Sequence, residues 1–322
     1  MGIEKTKYGI LESEPINNVE EFLSDVKRVT DGWNFSSDQT ARPWFRGASN
    51  EKWAPLPTIF RPVNRKRRLD EFQMATVFRN RAPSFGTTPH RNDVHEWLYL
   101  MRHHGLPTRL LDWTEGALIA LFFAVNESSS DDDPAVWMIH PIELNRMTKY
   151  TQVHLESKNR PLQIKGLPLN FKAKENPAKN FLTLYGQSYP DLMVCEMDML
   201  PNTWVEGKIA FDNFHWVFSH EKERIRSFEK APSFYPLAIN ATYNNPRIKA
   251  QKGCFTIHGT YEDDFEKLFN KTKLVKNDYF KKYIIDRNAA KSILKQLTLL
   301  GITYSMIYPD FDGLANELSS LE

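Results

Sequence analysis

An apolar helix with a polar approach constrains this chain more than any other feature. From Thr114 to Val125 the residues are apolar on nearly every face, a pattern that only a helix in the interior can use. Ahead of it, Val94, Trp97, Leu98 and Met101 recur at helical spacing, and Gly105 stops that helix in the manner of a C-terminal cap. The link between the two helices reads as a loop and carries His103, His104, Thr108, Arg109, Asp112, Trp113 and Thr114. These donors, acceptors and charges are held against the core. Burying them is costly unless each is paired or used. The link is therefore the first place to look for a site.

The remainder of the chain supplies ample material to build around that helix. Its 322 residues are 41% hydrophobic and 13% aromatic, enough for one large domain or two small ones. Lys and Arg total 42 against 40 Asp and Glu, a net charge of +2, so an anion site has to be local. Cys195 and Cys254 both lie in apolar, strand-like runs and are too few for a disulfide framework. They read as reduced core residues of a cytoplasmic protein. No stretch approaches the roughly 18 apolar residues that span a bilayer, and no cleavable leader is visible, so the expectation is a chain with no membrane association.

Val19, Phe22, Leu23 and Val26 predict an N-terminal amphipathic helix, which makes residues 1–39 a helical extension. Pro43 to Gly47 reads as a short strand ending at a glycine. A basic run, Arg61, Arg65, Lys66, Arg67 and Arg68, leads into a helix over Phe72 to Phe78. It is either a solvated helix start or a set of phosphate contacts. Ala135 to His140 reads as a strand, and the polar, proline-broken stretch at about 145–190 as a surface insertion. Strand-like runs return at Leu192 to Met197, Lys208 to Ala210, Cys254 to His258 and Tyr283 to Ile285. A helix near Ala289 to Leu299, capped by Gly301, and a last strand over Ile302 to Tyr308 close the chain. Strands and helices intermix without a repeat. The expected fold is α+β, with a mixed or antiparallel sheet and flanking helices.

Dinucleotide and nucleotide loops of the Gly-x-Gly-x-x-Gly and Gly-x-x-x-x-Gly-Lys-Ser/Thr kinds are missing, as are Cys-x-x-Cys and His-Glu-x-x-His. His103 and His104 are adjacent and point in different directions on a helix, so they do not make a metal pair by themselves. A cationic ring at a helix C-terminus is the simpler role for one of them.

Three separated elements carry a resemblance. Phe45-Arg46-Gly47, the block from Glu96-Trp97-Leu98 through His103-His104-Gly105-Leu106-Pro107-Thr108-Arg109-Leu110-Leu111-Asp112-Trp113-Thr114 to Ala124, and Arg247-Ile248-x-x-Gln251-x-Gly253-x-Phe255 together resemble the FRG domain. The closing Leu299 to Leu314 looks like the family's last helix and strand. The resemblance covers about residues 40–315 and places an FRG domain over 40–322. For many members it implies an effector in bacterial anti-phage defence or a toxin system.

A second resemblance, to the ADP-ribosyltransferase fold, rests on Phe45-Arg46-Gly47 and on Asp112-Trp113-Thr114 leading into Ala120 to Ala124. It implies NAD as substrate and a macromolecule as the target of modification. The implied catalytic set is Arg46, Asp112, Thr114 and Gln251. The implied NAD-binding set is Arg46, Gly47, His104, Arg109 and Trp113. Arginine grips phosphate through a bidentate fork, and glycine lets backbone come close to a ligand. Gln251 stands where that family has a glutamate, and a neutral amide orients a ribose without stabilising the positive charge that develops as nicotinamide leaves. Asp112, Glu115 and Glu262 are the candidate replacements. A competing expectation is a non-catalytic module that binds nucleic acid or protein through the basic run at 61–68. The packing alternatives are an Arg46–Asp112 ion pair that fixes the core, Trp113 as simple filling, and Gln251 as a strand side chain bonded to backbone.

Overall fold

The computed structural model of the chain describes residues 11–12, 14–33, 42–61, 71–90, 94–127, 131–144, 236–241, 243, 245–258, 265 and 279–319. Its strands are β1 (Leu11–Glu12), β2 (Trp44–Ala48), β3 (Leu110–Thr114), β4 (Ala135–Ile139), β5 (Leu237–Asn240), β6 (Gly253–Ile257) and β7 (Phe280–Ile284). Its helices are α1 (Val19–Asp31), α2 (Glu71–Arg81), α3 (Val94–His103), α4 (Ala117–Asn126), α5 (Pro246–Ala250), α6 (Ala290–Leu299), α7 (Tyr304–Ile307) and α8 (Phe311–Ser319). One sheet runs in the order β1-β7-β4-β2-β3-β6-β5. Six strands are antiparallel to their neighbours, and β1 adds to β7 in parallel at the edge. The fold is thus α+β, as the intermixed patterns predict.

One face of the sheet is covered by α1, α4 and α6. Phe45, Val136, Met138 and Tyr283 meet Ala120, Leu121 and Ala124 of α4, Phe22 of α1, and Ile293 and Leu297 of α6 in a single buried cluster. Each fully buried large side chain contributes about 1.5–3 kcal/mol relative to an exposed one. Helix α1 begins at Asn18, whose side chain accepts from Glu21 N–H at 2.9 Å, and it buries Val19, Phe22, Val26 and Val29 at helical spacing. The N-terminal helix therefore belongs to the same core as the central strands. Its Asp25 pairs with the buried Lys281 of β7 and with Arg28. Burial raises the Asp25 carboxyl, but these two cations outweigh it and hold the group below its ordinary range.

The other face is aromatic. Trp137 stacks on Phe280 at 5.2 Å, Phe280 on Phe265 at 5.6 Å, and Trp113 meets Phe265 edge-on at 5.6 Å. Cys254 lies buried in this layer as a free thiol, and burial pushes its pKa well up. No described helix is long and apolar enough to cross a membrane.

Two expectations change. The polar link ahead of α4 is not simply a loop, because Leu110–Thr114 is strand β3 near the middle of the sheet. Leu111 and Trp113 alternate with Asp112, so the strand buries one side while presenting a charge on the other. The expected last strand over Ile302 to Tyr308 is instead α7. Thr303 caps that helix by accepting from Met306 N–H, and a single buried residue, Ile307, anchors it. Helix α3 ends as expected: Gly105, at φ +77°, and Leu106 donate to Arg102 and Met101 carbonyls, the double bond pattern of a Schellman cap. The insertion at about 145–190, the strands expected at 192–197 and 208–210, Cys195, and four residues of the basic run (Arg65, Lys66, Arg67, Arg68) lie outside the described residues.

The contact that fixes α4 on the sheet is at Gly47. A methyl group there would stand 2.6 Å from the Ala124 nitrogen, 2.9 Å from Phe123 Cβ and closer still to the Ala120 carbonyl oxygen. The glycine thus serves helix-to-strand approach. Gly47→Ala is expected to destabilise the protein by about 3 kcal/mol, read as a lowered chemical-denaturation midpoint. An unchanged midpoint would show that α4 does not sit this close to β2.

Candidate functional site

Strand β2 pairs with β4 over all five of its residues, and β3 pairs with β6 over all five of its own. Between β2 and β3, Phe45 opposite Thr114 is the single pair among the described residues. Beyond it the two strands border a cleft of about 460 Å³, within the range of small-molecule sites. Arg46, Gly47, Ala48 and Ser49 line one side, Asp112 and Thr114 the other. Strand backbone without a strand partner needs other hydrogen bonds. The Arg46 guanidinium supplies one, donating from Nη1 to the Asp112 carbonyl at 2.6 Å.

The Asp112 carboxylate is the electrostatic centre of this cleft. Arg102, in the last turn of α3, donates from Nε to Oδ1 at 3.0 Å and from Nη2 to Oδ2 in a fork. Arg46 Nη1 lies 3.6 Å from Oδ2. The expected Arg46–Asp112 pair is present, but the tighter partner is Arg102. Arg61 approaches the same group from the segment after the turn at Thr58–Phe60, anchored by Nε donating to the Leu56 carbonyl at 3.2 Å. Burial, followed by the opposing pull of Asp112 and the push of Arg102 and Arg61, brings Arg46 down to about 10. Burial raises Asp112, yet Arg102 and Arg46 prevail and leave it below the ordinary carboxylate range. The group is fully ionised at neutral pH.

The far wall comes from the C-terminal part of the chain. Arg247 donates from Nε to Asp310 Oδ2 at 2.7 Å and lies 5.5 Å above the Tyr308 ring. Gln251 is the C-cap of α5, so it sits in a turn and not on a strand. Its Nε2 donates to the Ile307 carbonyl at 3.2 Å, which leaves the amide oxygen as its acceptor end. Its own carbonyl accepts from Thr114 Oγ1 at 2.6 Å, and Thr114 Oγ1 in turn accepts from Gly116 N–H at 2.9 Å. Thr114 thereby joins the end of β3 to α5 and to the start of α4.

Of the residues expected at the site, Arg46, Gly47, Asp112, Thr114 and Gln251 meet around this cleft. Trp113 touches its wall, but the indole is buried, donating Nε1 to Thr256 Oγ1 at 3.0 Å. His104 is not in the lining; its neighbour His103 is, 3.3 Å from Asn245 Nδ2, with a pKa lowered by burial, His104 and Arg247. Arg109 is buried away from the cleft and donates to the His258 carbonyl at 3.1 Å. Glu115 does not line the cleft, and Glu262 lies outside the described residues. Arg102, Trp53, Glu127 and Tyr308 line it without having been expected. Arg102 carries no separate signal in the sequence, because a basic residue in a last helical turn is what the helix dipole favours anyway.

Residues 41–133 match the family model of the FRG domain. The chain carries an FRG domain. No curated protein and no solved structure matches the chain. The FRG match takes in β2, α3, β3 and α4, and with them Arg46, Arg102 and Asp112. Arg247, Gln251 and Tyr308 reach the cleft from beyond the matched residues.

Behind the FRG strand β3, Thr256 connects Trp113 to His258, whose Nε2 is 3.1 Å from the threonine hydroxyl. His258 Nδ1 is buried without a hydrogen-bond partner among the described residues. Burial, then Arg109 and Arg46, push this imidazole down to about 3. The unfolded chain takes up a proton here near pH 6.5 that the folded chain refuses. The contribution of His258 to stability is therefore complete above about pH 6.5 and is lost as pH falls from there toward 3. His258→Gln is expected to flatten the fall in melting temperature between pH 7 and pH 5. An equally steep fall in the variant would place the acid sensitivity elsewhere.

Proposed function

We propose that this FRG domain binds NAD in the cleft between β2 and β3 and cleaves it, acting as an ADP-ribosyltransferase or an NAD-hydrolysing effector. The reading rests on one observation: Arg46, Arg61 and Arg102 surround the single carboxylate of Asp112 in a sheltered gap. Three guanidinium groups gather around that one carboxylate, and Glu127 is the other acidic residue of the lining. Such an excess in a half-sheltered cleft suits a diphosphate, whose oxygens accept the planar forks of arginine. A bound diphosphate competes with Asp112 for Arg102 and Arg46, and so loosens the hold on that carboxylate just as substrate arrives.

Cleavage needs a negative group near the ribose carbon as nicotinamide departs. Gln251 offers only an acceptor oxygen for a ribose hydroxyl. Asp112 and Glu127 are the acidic residues in the lining, and Glu127 has no ion-pair partner among the described residues. They take the place of the glutamate that the transferase pattern carries. Transfer to a macromolecule or to water removes NAD either way, an activity suited to an anti-phage or toxin effector.

Release of nicotinamide from NAD by the purified protein tests the reading. Arg46→Ala and Arg46→Lys are each expected to lower the rate by about a hundred-fold or more, since lysine keeps the charge but not the fork. Absence of NAD binding at millimolar concentration by folded protein would overturn it.

A further inference from the structure

One tryptophan among the described residues is unlike the others. Among the described residues, Trp33, Trp44, Trp97, Trp113 and Trp137 are at most 6% exposed, whereas Trp53 is 59% exposed. It lies at the rim of the cleft, in the same connection after β2 that delivers Arg61. An exposed aromatic by itself carries no meaning. This one, however, is held out by a braced turn. Trp53 N–H donates to the Asn50 carbonyl at 3.1 Å, Lys52 N–H to Asn50 Oδ1 at 2.8 Å, and Glu51 N–H to the Asp133 carbonyl at 2.7 Å. Lys52 Nζ then pairs with Asp132 at 2.8 Å, and Glu51 with Lys282 at 3.6 Å. The turn is fastened to the end of β4 and to β7, so the indole is presented on a firm base.

We propose that Trp53 is a stacking platform for the purine of the nucleotide whose diphosphate lies on Arg46, Arg61 and Arg102. This rests on the NAD reading above and adds to it which end of the molecule lies where. The reacting end of a dinucleotide has to be shielded from water, while the adenine end tolerates solvent on one face. The open rim at Trp53 fits the second requirement. The inner wall at Gln251 and Tyr308 fits the first. A planar base against an indole face gains affinity through dispersion and displaced water, with little dependence on hydrogen-bond pattern.

Calorimetry with two probes, ADP-ribose and inorganic pyrophosphate, tests this. Trp53→Ala is expected to weaken ADP-ribose binding by roughly ten-fold and to leave pyrophosphate binding within about two-fold. Trp53→Phe, which keeps a flat face, should recover most of the loss. In turnover, Trp53→Ala should raise KM and spare kcat. ADP-ribose binding unchanged in Trp53→Ala, or pyrophosphate and ADP-ribose weakened equally, overturns the stacking role while leaving the cleft as a nucleotide site. Failure of the unaltered protein to bind either probe overturns the nucleotide cleft, and the platform with it.

Discussion

The arrangement of the cleft depends on a single carboxylate placed among guanidinium groups. Asp112 gives its main-chain carbonyl to Arg46 and its side chain to Arg102, so one residue of β3 collects an arginine from β2 and another from α3. Without that negative charge, Arg46, Arg61 and Arg102 would repel one another in a partly sheltered space. With it, β2, the connection that follows it and the end of α3 are drawn to one point on β3. The attraction is not simply additional stability. A buried cation with a partner costs less than one without, but the group as a whole retains an unmatched positive charge. All three arginines and the aspartate lie within the residues of the FRG match.

Much of this was legible in the sequence because each element has a local cause. The apolar run after Gly116 had to be an interior helix, and Gly105 had to end the helix before it. The polarity of the link also singled out Asp112 and Thr114, which line the cleft. What was not legible depended on how distant pieces meet. Leu110–Thr114 alternates for only five residues, too few to separate a strand from a loop by periodicity. Thr303 caps a helix of four residues, which is shorter than any pattern can report. Arg102 and Arg247 read as ordinary basic residues of helices, and only the folded chain shows one turned to Asp112 and the other to Asp310.

Trp113 and Arg109 are the converse case. Both sit in the most polar part of the chain and looked available for a ligand, yet period-two alternation sends Trp113 into the aromatic layer, and Arg109 is spent on the His258 carbonyl. They support the wall that the cleft residues stand on. His258 joins that support through Thr256, where burial keeps the imidazole uncharged. The division is sharp: on β3, odd-numbered neighbours of Asp112 build the interior while Asp112 itself faces the gap.

The lone pair of residues joining β2 to β3 has a mechanical meaning. A sheet laced by hydrogen bonds along every strand behaves as one plate, but here the ladders of β1, β7, β4 and β2 and of β3, β6 and β5 join at a single paired position. They are riveted at Phe45 and Thr114, with the Arg46 guanidinium as a tie across the seam. Any molecule seated in the seam touches both ladders at once. Along this seam the sheet depends on that tie and on α4, packed across both β2 and β3, rather than on a ladder of backbone hydrogen bonds.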